Sequence, residues 1–109
     1  MGLLVDTKAT LLQVLIEGEG YGLQLIARVS ERTNGTMRLL EGRVYPALRE
    51  LEAEGLVTSY EAGPLPERGG RPRRYYKLTA EGKRAAKTQA KAIRRQMHEL
   101  KTSSDHSSR

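Results

Sequence analysis

Four arginines, Arg68, Arg71, Arg73 and Arg74, fall within one short stretch, with Gly69 and Gly70 among them and Glu67 as the acidic neighbour. A guanidinium is always charged and offers a planar fork of donors that matches phosphate. A projecting loop with this charge suits a phosphate track or a minor groove, since duplex DNA carries one negative charge per ~1.7 Å of axis. The plainer alternative is a surface loop that is merely basic. A second set lies upstream, at Gly42, Arg43, Tyr45, Pro46 and Arg49. If Val44, Ala47, Leu48 and Leu51 form one buried helical face, the opposite face carries Gly42, Pro46, Arg49 and Ala53, flanked on either side by Arg43 and Tyr45. Such a low-profile face suits a major groove ~12 Å wide, where arginine can donate to guanine O6 and N7. Arg38, just ahead of this helix, joins the same candidate set. Alternatively, Arg43 and Arg49 are solvated partners of Glu50, Glu52 and Glu54. Tyr21 opens another helix. Its hydroxyl, or the free N–H groups at that helix start, suit a phosphate, and a core tyrosine is an equal reading.

Other chemistry finds little support. His98 and His106 lie near the C-terminus, and no nucleophile–base pair, glycine-rich phosphate loop or metal-ligand spacing is present. Glu17 and Glu19 bracket a turn and read as solvated. No enzyme activity, cofactor or metal is therefore expected. The chain has no cysteine, which excludes disulfides and thiolate catalysis. No apolar run approaches the ~20 residues that span a bilayer. Leu3, Leu4 and Val5 are too short a stretch for a signal peptide, and Asp6 stands where a myristoylation signal has Ser or Thr. A cytoplasmic protein without a membrane partner is expected. The net charge of +6 favours polyanions, nucleic acid first.

The elements that would position these residues follow from periodicity. At 109 residues without Phe or Trp, the chain supports one modest core, and dimerisation would bury more apolar surface. Leu11, Leu12, Leu15 and Ile16 predict a helix from Asp6 or Thr7 to Glu17, ended by Gly18-Glu19-Gly20. Leu25, Ile26 and Val29 predict a second helix, Gly22 to Arg32, followed by the turn Thr33-Asn34-Gly35-Thr36. The third runs from about Glu41 to Glu54 and stops at Gly55. Pro46 inside it implies a slight bend or a later start. Leu56–Glu61 and Arg73–Leu78 read as paired strands around a Gly/Pro-rich loop, with Tyr76 and Leu78 inward and Arg73, Tyr75 and Lys77 outward.

Thr79 is the expected cap of a fourth helix reaching about Leu100. Ala86, Ala90, Ile93, Met97 and Leu100 recur at spacings of 4 and 3, the seam of a short coiled coil with a second copy, or a stripe packed on the chain's own body. Thr102–Arg109 reads as a disordered polar tail. The fold class expected is mainly α with a small β-hairpin: a winged helix-turn-helix over residues 1–79, then a C-terminal dimerisation helix over 80–101.

Gly20-Tyr21-Gly22-Leu23, the run from Leu40 through Tyr45-Pro46-Ala47-Leu48 to Glu52, Glu54-Gly55-Leu56-Val57, and Gly69-Gly70-Arg71-Pro72-Arg73-Arg74-Tyr75-Tyr76 through Thr79 together closely resemble the PadR family of bacterial transcriptional regulators. The resemblance covers about residues 7 to 85. It implies a homodimeric repressor binding double-stranded DNA at an inverted-repeat operator, with release by a small effector in many members. It places the groove-entering helix at Gly42 to Arg49, the wing at Arg71 to Arg74, and the dimerisation helix at about Ala80 to Leu100. Leu40 departs from the Ser that often caps the recognition helix in the family. The competing reading is an interaction module whose basic loop meets an acidic protein partner.

Overall fold

The computed structural model describes residues 6–64 and 72–107. The chain order is α1 (Thr7–Leu15), β1 (Gly20–Tyr21), α2 (Gly22–Arg32), α3 (Glu41–Ala53), β2 (Val57–Pro64), β3 (Pro72–Leu78) and α4 (Ala80–Ser107). The three strands form one antiparallel sheet in the order β1-β3-β2.

Local chemistry sets the helix ends. The Asp6 carboxylate accepts from Ala9 N at 3.2 Å and caps α1. Thr79 does the same for α4, its hydroxyl accepting from Gly82 N at 3.0 Å while donating to Gly55 O at 2.6 Å. Gly55, at φ +79°, ends α3 in the left-handed region that costs glycine nothing. Leu40 has no capping side chain, yet α3 begins immediately after it, because its carbonyl accepts from Arg43 N and Val44 N. Pro46 therefore sits inside the helix, and the carbonyl four residues back, on Gly42, lacks its usual donor.

The core lies between α1, α2, α3 and the inner face of the sheet. Leu11, Leu25, Val44, Leu48 and Leu51 are fully buried, with Val57, Tyr76 and Leu78 supplied by the strands. Burying each such aliphatic side chain contributes about 1.5–3 kcal/mol. Ala86 closes the core from α4. Two side-chain amides fasten α4 to α1: Gln13 Nε2 donates to Ala86 O and Gln89 Nε2 to Ala9 O.

Four features differ from expectation. Gly20 and Tyr21 form a third strand, paired with Tyr76 and Tyr75, where only a turn and a helix start were foreseen. A two-residue strand carries no periodicity, so only its long-range partner defines it. Ile16 is 48% exposed, because α1 ends at Leu15 and its last turn swings the side chain off the core. Strand β2 extends to Pro64, past the expected Glu61, with a register shift between Glu61 and Pro64. Helix α4 continues to Ser107 across residues expected to form a disordered tail. No Gly or Pro interrupts the sequence there, so the backbone ladder continues.

Candidate nucleic-acid interface

Helix α3 turns Val44, Ala47, Leu48 and Leu51 into the core, so Gly42, Pro46, Arg49 and Ala53 lie exposed on its far side, with Arg43 exposed beside them. A Cβ placed on Gly42 would meet nothing within 4 Å. Three acidic neighbours toward its C-terminal end, Glu50, Glu52 and Glu54, are engaged elsewhere. Lys8 of α1 binds Glu54 at 2.5 Å and Glu50 at 3.4 Å, and Glu52 accepts from Ser59 Oγ at 2.8 Å. Among the described residues neither Arg43, Arg49 nor Arg38 makes an ion pair, so Glu50, Glu52 and Glu54 are not their partners. The slim outer face of α3 thus carries two uncompensated guanidinium groups. Arg38 is exposed in the segment leading into it.

Tyr45 lies at the flank of this face. It is half-buried and packs over the start of α2, where a Cβ on Gly22 would fall 2.5 Å from its ring. Its ring fills the space that the absent Gly22 side chain leaves between α2 and α3.

The outer face of the sheet carries one tyrosine from each strand. Tyr21, Tyr75 and Tyr60 occupy the same rung, since Tyr75 pairs with Tyr21 on one side and Tyr60 on the other. Tyr75 meets Tyr21 edge-on at 5.4 Å and stacks on Tyr60 at 5.6 Å. Such pairs add ~0.5–1.5 kcal/mol each beyond their burial. The Arg73 guanidinium lies 4.3 Å above the Tyr21 ring, and Lys77 lies 5.9 Å from that of Tyr60. The Tyr60 hydroxyl donates to the Glu19 carboxylate, and this bond holds the phenol above its ordinary pKa. Tyr21 is therefore half-buried on the outer face of the sheet and not in the core. It joins β1 to the wing, and it brings Arg73 to the N-terminus of α2, where Gln24 Oε1 accepts from Tyr21 N.

Arg74 points the other way. Successive β residues alternate, so Arg74 shares its face with Tyr76 and Leu78, not with Arg73. Its guanidinium donates to Glu61 at 2.9 Å and to Ser59 Oγ at 3.1 Å. Arg68 and Arg71 lie outside the described residues.

Of the residues expected to form a dimer seam, Ala86 is 0% exposed against α1 and belongs to the chain's own core. Ala90 is half-buried. Beyond it Ile93, Met97 and Leu100 are 45%, 61% and 64% exposed, an uncovered apolar stripe where α4 runs past the body. Sequence reasoning missed Lys8, Ser59, Tyr60 and Tyr75. The hairpin register would have placed the two tyrosines together, but no local signal ties Lys8 to residues 46 positions away.

Three helices, a short strand and a two-stranded wing, with an exposed slim helix face and a basic hairpin, define a winged helix-turn-helix. The chain belongs to the PadR-like family of transcriptional regulators, whose profile matches residues 11–88. It is 30% identical over 73 residues to an uncharacterized protein of Lysinibacillus sphaericus, a match covering 67% of this chain and 64% of that relative's length. Among solved structures, a PadR family transcription regulator from Clostridium difficile R20291 superposes with a TM-score of 0.74 at 26% identity, covering 90% of this chain and 97% of that one. The circadian clock associated protein Pex from Anabaena gives a TM-score of 0.65 at 28% identity, over 89% of this chain and 84% of that one. Bacillus subtilis PadR, solved in complex with operator DNA, gives 0.66 at 23% identity over 76% of this chain and 45% of that one, a likeness of fold. Among the described residues no helix is long and apolar enough to cross a membrane, and no group of metal-ligating side chains gathers.

Proposed function

We propose that this chain is a sequence-specific DNA-binding repressor that acts as a homodimer on an inverted-repeat operator. The observation that carries the reading is the outer face of α3, where Arg43 and Arg49 stand without acidic partners on a surface slimmed by Gly42 and Pro46. On this reading α3 enters the major groove, with Arg49 reading bases and Arg43 and Arg38 meeting base edges or phosphates. Arg73, held on Tyr21, and the wing residues Arg68 and Arg71 track the neighbouring backbone. The operator complex of Bacillus subtilis PadR, whose fold this chain shares, supports the choice of partner.

The homodimer reading is supported by the exposed stripe of Ile93, Met97 and Leu100. It would lie in a groove of about 440 Å³ on a second copy, bounded by α1, α2 and Ile93. Release by a small effector has a candidate cleft of about 380 Å³ between the end of α1, β3 and α4. Leu15, Ile16 and Leu78 floor it, and Lys77, Lys83 and Lys87 line its rim. That volume lies at the lower end of small-ligand sites.

Selection of bound fragments from a genomic library at low salt tests the reading. Enrichment of a palindromic sequence supports it. Retention of no fragment, with capture of an acidic protein instead, replaces it with the interaction-module reading.

A further inference from the structure

The arginine at position 74 sits in the basic hairpin, yet its hydrogen bonds lead away from the wing tip and toward α3. One nitrogen, Nη2, donates to Glu61 on the paired strand at 2.9 Å, and Nη1 donates to Ser59 Oγ at 3.1 Å. The Ser59 hydroxyl in turn donates to Glu52 Oε2 at 2.8 Å. Glu52 lies on α3 three residues after Arg49, so the chain of bonds ends one turn from the exposed face of that helix. At its other end, Arg74 and Glu61 form the last regular rung of the hairpin, immediately before the register shift that separates Glu61 from Pro64. The relay thus spans from the bend in the wing to the turn of α3 bearing Arg49.

We propose that Arg74, Ser59 and Glu52 are positioning residues for DNA binding, setting the angle between wing and α3, and that Arg74 serves that binding without contacting phosphate. The inference rests on the DNA-binding reading above. Its physical basis is the fork of the guanidinium, which satisfies two acceptors at once in a fixed plane. A lysine places one charge and cannot bridge Ser59 and Glu61 in the same way. Arg73 lies on the opposite face of the strand, over the Tyr21 ring, where the proposed function has it meet the DNA backbone. Adjacent arginines in one motif then divide the work.

The test uses the full-length chain and a selected duplex, with affinity measured across a salt series and folding monitored by thermal melting. Arg74→Ala and Ser59→Ala should each weaken binding about threefold to tenfold, and the double variant no further, because both break one relay. The slope of log affinity against log salt should stay at the wild-type value, whereas loss of a phosphate contact would reduce it by about one. Arg74→Lys should not rescue, and Ser59→Thr, which keeps the hydroxyl, should bind like wild type. Glu52→Gln keeps an acceptor and Glu52→Ala does not. Both remove the charge, so tighter binding by the Gln variant isolates the hydrogen bond. A reduced slope in Arg74→Ala with Ser59→Ala neutral would overturn the relay while leaving the DNA-binding reading intact. A wild-type chain that holds no duplex at low salt would overturn the reading and the relay with it.

Discussion

Gly82, in the first turn of α4, lies so close to the backbone of Leu56 that a Cβ built on it would stand 1.9 Å from the Leu56 carbonyl oxygen. The same carbonyl accepts from Thr79 N at 3.0 Å. Helix α4 therefore passes the Leu56 backbone at Gly82 with no room there for a side chain. Gly82→Ala should cost about 3 kcal/mol or more, because the atom in its way is backbone and cannot rotate aside. Urea titration of the variant should show a lower midpoint. An unchanged midpoint would mean that α4 does not sit where the structure places it.

A gentler version of the same contact occurs at Gly22, whose missing Cβ makes way for the Tyr45 ring. Here the obstacle is a half-buried side chain, so Gly22→Ala should cost less, about 1–3 kcal/mol. The displaced ring would tilt α3 against α2, so duplex affinity should fall more than stability does. Tyr45→Leu in the Gly22→Ala background should restore part of both losses. Additive effects in that pair would show that the two residues do not meet.

Much of this architecture is legible in the residues themselves. The stripe of Val44, Ala47, Leu48 and Leu51 is buried as its spacing requires, Asp6 and Thr79 cap their helices, and Tyr76 and Leu78 face inward. What sequence periodicity leaves out is contact between distant segments. Strand β1 exists only because Tyr21 meets Tyr75, and the hydrogen bonds of Arg74 exist only because Glu61 and Ser59 lie across from it. The α4 stripe shows a related limit. Its spacing is continuous from Ala86 to Leu100, yet α1 covers its beginning and leaves its end bare, a division set by where the body stops.

That bare end gives a prediction about assembly. Met97→Glu with Ile93→Glu should yield a monomer, since two carboxylates would enter an apolar contact. Light scattering reads the mass, and duplex affinity should drop with it because a single half-site is then held. A variant still dimeric would place the interface elsewhere.

Acid should erase one specific tie. Arg32 Nε lies 2.8 and 3.0 Å from the two Glu17 carboxylate oxygens, and this pairing holds the Glu17 carboxyl below its ordinary range. A carboxyl whose pKa is lower folded than unfolded adds stability above the unfolded value of about 4.3, and loses it as pH falls through the folded value. Arg32→Gln should therefore be slightly less stable than wild type at about pH 7 and equal to it at about pH 3, the effect being small because both groups are largely exposed. Urea midpoints at the two pH values check this. A difference persisting in acid would exclude the ion pair as its source.

The most direct measurement is fluorescence anisotropy of a labelled duplex, selected from genomic DNA, with wild type and Arg49→Ala compared against a scrambled duplex. The unpaired guanidinium on the α3 face predicts strong preference by wild type and about 1–3 kcal/mol less discrimination in the variant. Equal binding of selected and scrambled duplexes by wild type, or an unaltered preference in Arg49→Ala, would contradict it.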